Sequence, residues 1–137
     1  MKNNLANKIT IVKEFIRFCL VGVSNLLIDI LVYWLLTRFL GIYYILAAIV
    51  SYAVAMTWSF FINRHWTFKS VSPKIGWQYV RFTVVNIISA LINLGLLFVF
   101  VEFLGLYDLL AKALISVIVA FLSFSLNRYW TFNVGEK

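Results

Sequence analysis

Apolar residues gather in four long runs, 18–37, 45–62, 82–101 and 109–126, separated by short polar intervals. Each holds about 18–20 residues, enough at about 1.5 Å rise per residue to cross a hydrocarbon core of about 30 Å. The pattern predicts four transmembrane helices and an all-α integral membrane fold. Polar positions inside the runs are ordered too. Gly22, Asn25 and Asp29 recur at spacings of three and four, on one face of the first helix, and Asn86, Ser89 and Asn93 stand at the matching levels of the third. Lipid does not solvate such a stripe, so both stripes are expected to face inward. In the second helix Tyr52 and Ser59 lead down to Asn63; in the fourth Lys112, Ser116 and Ser123 lead down to Asn127. Ala47, Ala48, Ser51, Ala53 and Ala55 are small enough for helix backbones to approach closely.

The chain repeats itself. Asn63-Arg64-His65-Trp66-Thr67-Phe68 returns 64 positions later as Asn127-Arg128-Tyr129-Trp130-Thr131-Phe132. The same shift lays Arg17-Phe18 on Arg81-Phe82 and Phe39-Leu40-Gly41 on Phe103-Leu104-Gly105. Roughly a third of the pairs are identical, more than shared hydrophobicity supplies. One transmembrane domain over 1–137 is therefore expected to contain two copies of a two-helix unit, about 14–68 and about 78–132. Each unit has an even number of spans, so the two enter the membrane in the same direction, as parallel repeats about an axis along the membrane normal. Residues 1–13 read as a frayed or surface-lying lead-in. The segment 69–78, with the only proline, Pro73, reads as the link.

Composition agrees: hydrophobic residues make up 64% of the chain and charged ones 12%. The net charge of +7 suggests nucleic acid until its placement is considered. Lys2, Lys8, Lys13 and Arg17 precede the first helix, Arg64, Lys69, Lys74 and Arg81 lie between the second and third, and Arg128 and Lys137 follow the fourth. Arg38 and Lys112 stand near the other side with Glu102 and Asp108. That asymmetry places both termini in the cytoplasm, N-in and C-in, in a multi-pass protein of the cytoplasmic membrane, and leaves no nucleic-acid face. The first run is too long for a cleavable signal and is kept as a span. Cys19, the only cysteine, forms no intramolecular disulfide. His65 is matched by Tyr129 and has no metal-binding companion, so no metal or other cofactor is expected. With no Cys/His pairing, no acidic pair and no glycine-rich phosphate loop, the chain does not read as an enzyme.

Arg17 and Arg81 open the first and third helices, and Arg64 and Arg128 close the second and fourth. One such arginine is a topology signal. Four related by the repeat offer planar donors suited to phosphate. Trp66, Phe68, Trp130 and Phe132 read as an aromatic belt at the membrane surface. Asp29 lies near mid-bilayer, where a carboxylate is expensive unless paired, hydrated or protonated. Lys112, standing where the first unit has Ala48, either snorkels outward or forms a second phosphate or proton station.

Arg17-Phe18 with Val21-Gly22, and Asn63-Arg64 followed by Trp66-Thr67-Phe68 with its second copy, resemble the GtrA-like family of four-span membrane proteins over about Glu14 to Phe132. The resemblance implies synthesis of cell-surface polysaccharide, with a polyprenyl-phosphate-linked sugar flipped across the membrane between a glycosyltransferase that charges the lipid and another that uses it. Membrane lipids and those transferases would be the partners, and a homo-oligomer stays open. Two other readings remain: a non-transporting scaffold for a glycosyltransferase, which needs no polar stripe, and a small cation exporter, which would use Asp29 but meets repulsion from the arginines.

Overall fold

The computed structural model describes residues 2–133, which form α1 (Lys2–Arg38), α2 (Tyr44–Ile62), α3 (Ile75–Phe98) and α4 (Asp108–Leu126). A single π turn prolongs each of the last three: Asn63–Thr67 after α2, Val99–Phe103 after α3 and Asn127–Thr131 after α4. Four helices are long and apolar enough to cross a membrane, and no strand occurs among the described residues. Lys137 lies outside the described residues.

Two compact units divide the chain after Lys69. In the first, α1 and α2 form a hairpin whose α2 side is lined every fourth residue by Ala47, Ser51, Ala55 and Ser59, all buried. Ala48 and Ala53, expected to join that seam, are exposed, because they lie off the fourth-residue row. The Trp58 indole Nε1 donates to Ser24 Oγ across the hairpin at 3.3 Å. In the second unit the matching seam is bulkier: Ala111, Ile115 and Val119 of α4 pack against Ile92, Leu96, Leu97 and Phe100. Much of the remaining surface is apolar, with Leu27 63% and Leu91 64% exposed, as lipid-facing helices require.

Gly41 and Gly105 hold φ of 62° and 63°, a left-handed conformation open to glycine without strain. There the chain reverses, and the Ile42 N–H returns to the Leu36 carbonyl at 3.0 Å, the Leu106 N–H to that of Phe100 at 3.1 Å. These bonds satisfy carbonyls that a helix end otherwise leaves open.

Two expectations are corrected. Residues 2–13 are not frayed but form the first turns of α1. Extending an existing helix avoids the cost of nucleation, and this stretch contains no glycine or proline to stop it. The link is also shorter than 69–78, since α3 begins at Ile75, right after the Pro73 turn.

The seam makes a testable distinction. Ala55→Leu, at a position with no exposed surface, should lower stability by about 1–3 kcal/mol through overpacking, whereas Ala53→Leu, on the exposed side of the same helix, should be neutral. Thermal unfolding of both variants in lipid nanodiscs checks it, and equal effects would count against the seam.

Candidate functional site

The recurring hexapeptide forms the π turn at the end of the second helix of each unit. In a π turn the N–H bonds five residues back: Phe68 N–H to the Asn63 carbonyl and Phe132 N–H to that of Asn127, both at 2.9 Å. Widening the last turn leaves carbonyls without helical partners. Arginine from the first helix of the same unit fills that need. Arg17 Nη1 donates to the Trp66 carbonyl at 3.2 Å, and Arg81 Nη1 to that of Trp130 at 2.9 Å. Each guanidinium carbon also sits 5.4 Å from the centroid of that same tryptophan's ring, and Arg81 stands equally far from Trp77.

Trp66 and Trp130 are therefore both exposed rings and arginine platforms. Phe68 and Phe132 do not belong to an aromatic belt: they are buried, 6.1 Å from Phe18 and Phe82, beneath the turn. The chain ends the turn at Lys69 and Asn133, with φ of 50° and 46°. Asparagine takes the left-handed region readily, whereas a residue such as lysine gives up about 1–2 kcal/mol there.

Inside the turn the two asparagines are also held alike. Asn63 Nδ2 donates to Ser59 Oγ at 3.3 Å, and Asn127 Nδ2 to the Ser123 carbonyl at 3.0 Å. Their Oδ1 atoms, with Thr67 Oγ1 and Thr131 Oγ1, are buried without a hydrogen-bond partner. The four arginines split into two kinds. Arg17 and Arg81 are half-buried, with part of the guanidinium surface open, while Arg64 and Arg128 are 7% exposed. Arg128 lies 4.9 Å from the Tyr129 ring centroid. Glu14 is buried in the first unit, and so is Gln78 at the matching position of the other.

The polar stripe is partly enclosed. Ser89 is buried, Asn25, Asp29, Asn86 and Asn93 are half-buried, and Gly22 is exposed. Asn25 Oδ1 and Ser89 Oγ lack partners, and Asn86 Nδ2 is spent on its own helix, donating to the Phe82 carbonyl at 2.8 Å. Asp29 of the first unit is within electrostatic reach of Tyr52 on α2. Lys112 of the second lines a cavity of about 390 Å³ with Glu102 and Asp108. No cluster of three or more His, Cys, Asp or Glu able to hold a metal ion occurs among the described residues.

A second cavity of the same unit, about 560 Å³, was not anticipated. Ser70, Lys74, Trp77, Arg81 and Thr131 contribute to its wall. Lys74 was counted only as a topology charge and Trp77 was not singled out. The signal in the sequence was the loss of repeat identity upstream of Arg81, where the second unit has a proline-broken link and the first unit has helix.

Residues 17–132 match the family described as "GtrA/DPMS, transmembrane domain". A Bacillus subtilis (strain 168) protein named "Uncharacterized membrane protein YngA" is 36% identical over 126 residues, covering 92% of this chain and 84% of that one. The "Cell wall teichoic acid glycosylation protein GtcA" of Listeria monocytogenes serovar 1/2a is 23% identical over 128 residues, covering 91% and 88%. A protein of the same name from Listeria innocua serovar 6a is 22% identical over 128 residues.

The arginine bond goes to a backbone atom and the stacking to a side chain, so the two separate by mutation. Trp66→Ala should remove about 0.5–1 kcal/mol of stability, the worth of an exposed cation–π contact, and leave the carbonyl bond in place. Arg17→Ala should remove that and a charge-assisted bond besides, about 2–4 kcal/mol in total. A double-mutant cycle read by thermal unfolding should give a coupling of about 0.5–1 kcal/mol; zero coupling would mean that the ring contributes nothing to holding the guanidinium.

Proposed function

We propose that this chain, which belongs to the GtrA/DPMS transmembrane family and is a multi-pass membrane protein, carries a polyprenyl-phosphate-linked sugar across the cytoplasmic membrane for glycosylation of a cell-surface polysaccharide. Membrane glycosyltransferases are its partners, one charging the lipid on the inner face and one consuming it outside. The name of the Listeria relatives points to the same process.

The observation that carries this reading is the pair of immobilised, half-open guanidiniums, Arg17 and Arg81. Each is fixed by a carbonyl and a tryptophan face at the end of an apolar span, and each keeps N–H donors for a further acceptor. A planar donor held in one orientation suits a phosphate monoanion or diester better than a mobile ammonium. In the proposed topology, N-in and C-in, both stand at the cytoplasmic end of their spans. Arg64 and Arg128, proposed as further phosphate contacts, are buried and stand farther from such a ligand. Within its own unit each stripe, Asn25 and Asp29 in the first and Asn86, Ser89 and Asn93 in the second, supplies polar partners along the way, and Lys112 of the second unit forms a second station toward the outside.

Glu102 and Asp108 in the Lys112 cavity give that station its character. Their charges oppose an anion, so in this reading the lysine is a passing contact for phosphate and not a binding site. A cation exporter fits less well, because its substrate would meet the arginines first.

Reconstitution tests the reading. Vesicles containing the protein and a labelled polyprenyl-phosphoryl hexose should expose the label to an impermeant reagent outside, and protein-free vesicles should not. Lys112→Ala should abolish that exposure while Lys112→Arg slows it. Protection of the label equal to that of empty vesicles would leave the protein a scaffold for its glycosyltransferase, and full activity in Lys112→Ala would remove the second station.

A further inference from the structure

The two units share a scaffold, yet the end that carries Arg17 in one and Arg81 in the other is built differently. In the first unit α1 runs unbroken from Lys2, and the residues on the approach to Arg17 are helical. In the second, Pro73 stops the helix and α3 starts only at Ile75. The chain ahead of it lies open as a link, and a cavity of about 560 Å³ results, walled by that link, the first turns of α3 and the end of the π turn after α4.

We infer that this cavity of the second unit is a binding site for a phosphoryl-sugar headgroup, and that the first unit has no equivalent. As to the ligand's lipid origin, the inference rests on the function proposed above; its chemistry rests on the cavity. Two cations, Lys74 and Arg81, stand in the wall, and among the described residues no carboxylate does. Arg81 is held by two tryptophan rings and the Trp130 carbonyl, and its Nε is buried with no acceptor. Thr131, 1% exposed, adds a buried Oγ1 with no partner to the same wall. Gln78 Nε2 donates to Ser70 Oγ at 2.8 Å, leaving the serine its own proton to donate. A wall whose described residues bring positive charge and hydroxyl groups selects an anion rich in acceptors.

Trp77 narrows the class further. It is 56% exposed and stands beside the cation pair, where an indole face suits the C–H face of a pyranose as well as the membrane interface. In the first unit the matching positions hold Thr10 for Lys74, Lys13 for Trp77 and Glu14 for Gln78. The first unit thus has neither the lysine of that wall nor an indole in the place of Trp77. The pair of repeats is therefore asymmetric in use: each offers a guanidinium to phosphate, and the second alone adds a pocket for the sugar that phosphate carries.

Binding to the full chain in nanodiscs separates this from the transport reading. The probes are farnesyl-phosphoryl glucose, farnesyl phosphate, glucose 1-phosphate and inorganic phosphate. Lys74→Gln, by the loss of one charge-assisted contact, and Gln78→Glu, by placing a carboxylate in the wall, should each weaken farnesyl-phosphoryl glucose by about tenfold or more. Trp77→Ala should weaken the glucose-bearing lipid and leave farnesyl phosphate bound as before. Lys74 and Trp77 are exposed, so those two variants leave the fold intact even where Gln78→Glu does not. Unchanged affinity in both Lys74→Gln and Trp77→Ala overturns the site, as does failure of every probe to bind. Glucose 1-phosphate binding as tightly as the lipid would support the site and assign it to a soluble ligand. Lipid binding that depends on Lys74 in a protein that moves nothing in vesicles would support the site and refute transport.

Discussion

The bond from an arginine to a backbone carbonyl at a widened helical turn is the contact on which each unit depends. Lipid offers no partner for an unsatisfied carbonyl, so a transmembrane helix that ends in a π turn needs a donor from its own unit. Arg17 and Arg81 are those donors. The tryptophan whose carbonyl accepts the bond also lays its ring against the guanidinium, and the phenylalanine two residues on is turned under the helix. One interaction thus sets the helix end, the orientation of the arginine plane and the burial of the aromatic that seals the turn. The same arginine is only half-buried, and the proposed recognition of phosphate draws on the donors that this contact leaves unused.

Repetition of that contact does not make the units identical. Their seams differ in side-chain size: α2 presents Ala47, Ser51, Ala55 and Ser59, whereas α4 presents Ala111, Ile115 and Val119. Between helices in lipid there is little hydrophobic gain, so the first seam works by close approach and the second by interdigitation of larger groups. Glu14 and Gln78 differ in the same way at a buried polar position, one charged and one neutral. A duplicated unit that keeps its arginine contact is free to diverge elsewhere, and the proposed division of labour between the units follows from that freedom.

Much of this protein was legible in the residue order. Runs of about twenty apolar residues have one stable form in a bilayer, so four helices follow from hydropathy alone. The internal repeat is a property of the string, and it singled out Arg17, Arg64, Arg81 and Arg128 before any geometry was available. Polar residues within the spans, such as Asn25, Ser89 and Asn93, were likewise visible, because a polar group in lipid always calls for a reason.

What the string did not contain was the depth of each side chain in its own unit. Identical residue types at the helix ends parted into open Arg17 and Arg81 and buried Arg64 and Arg128, since burial depends on which neighbour packs over them. Phe68 and Phe132 read as belt residues until the π turn rotated them inward, a change of turn geometry that local sequence does not announce. The cavity at Lys74 and Trp77 depends on residues about 50–60 positions apart meeting, and only packing in three dimensions brings Thr131 to the link. Periodicity therefore settles what crosses the membrane, while the packing of each helix pair settles which of its polar groups a ligand meets.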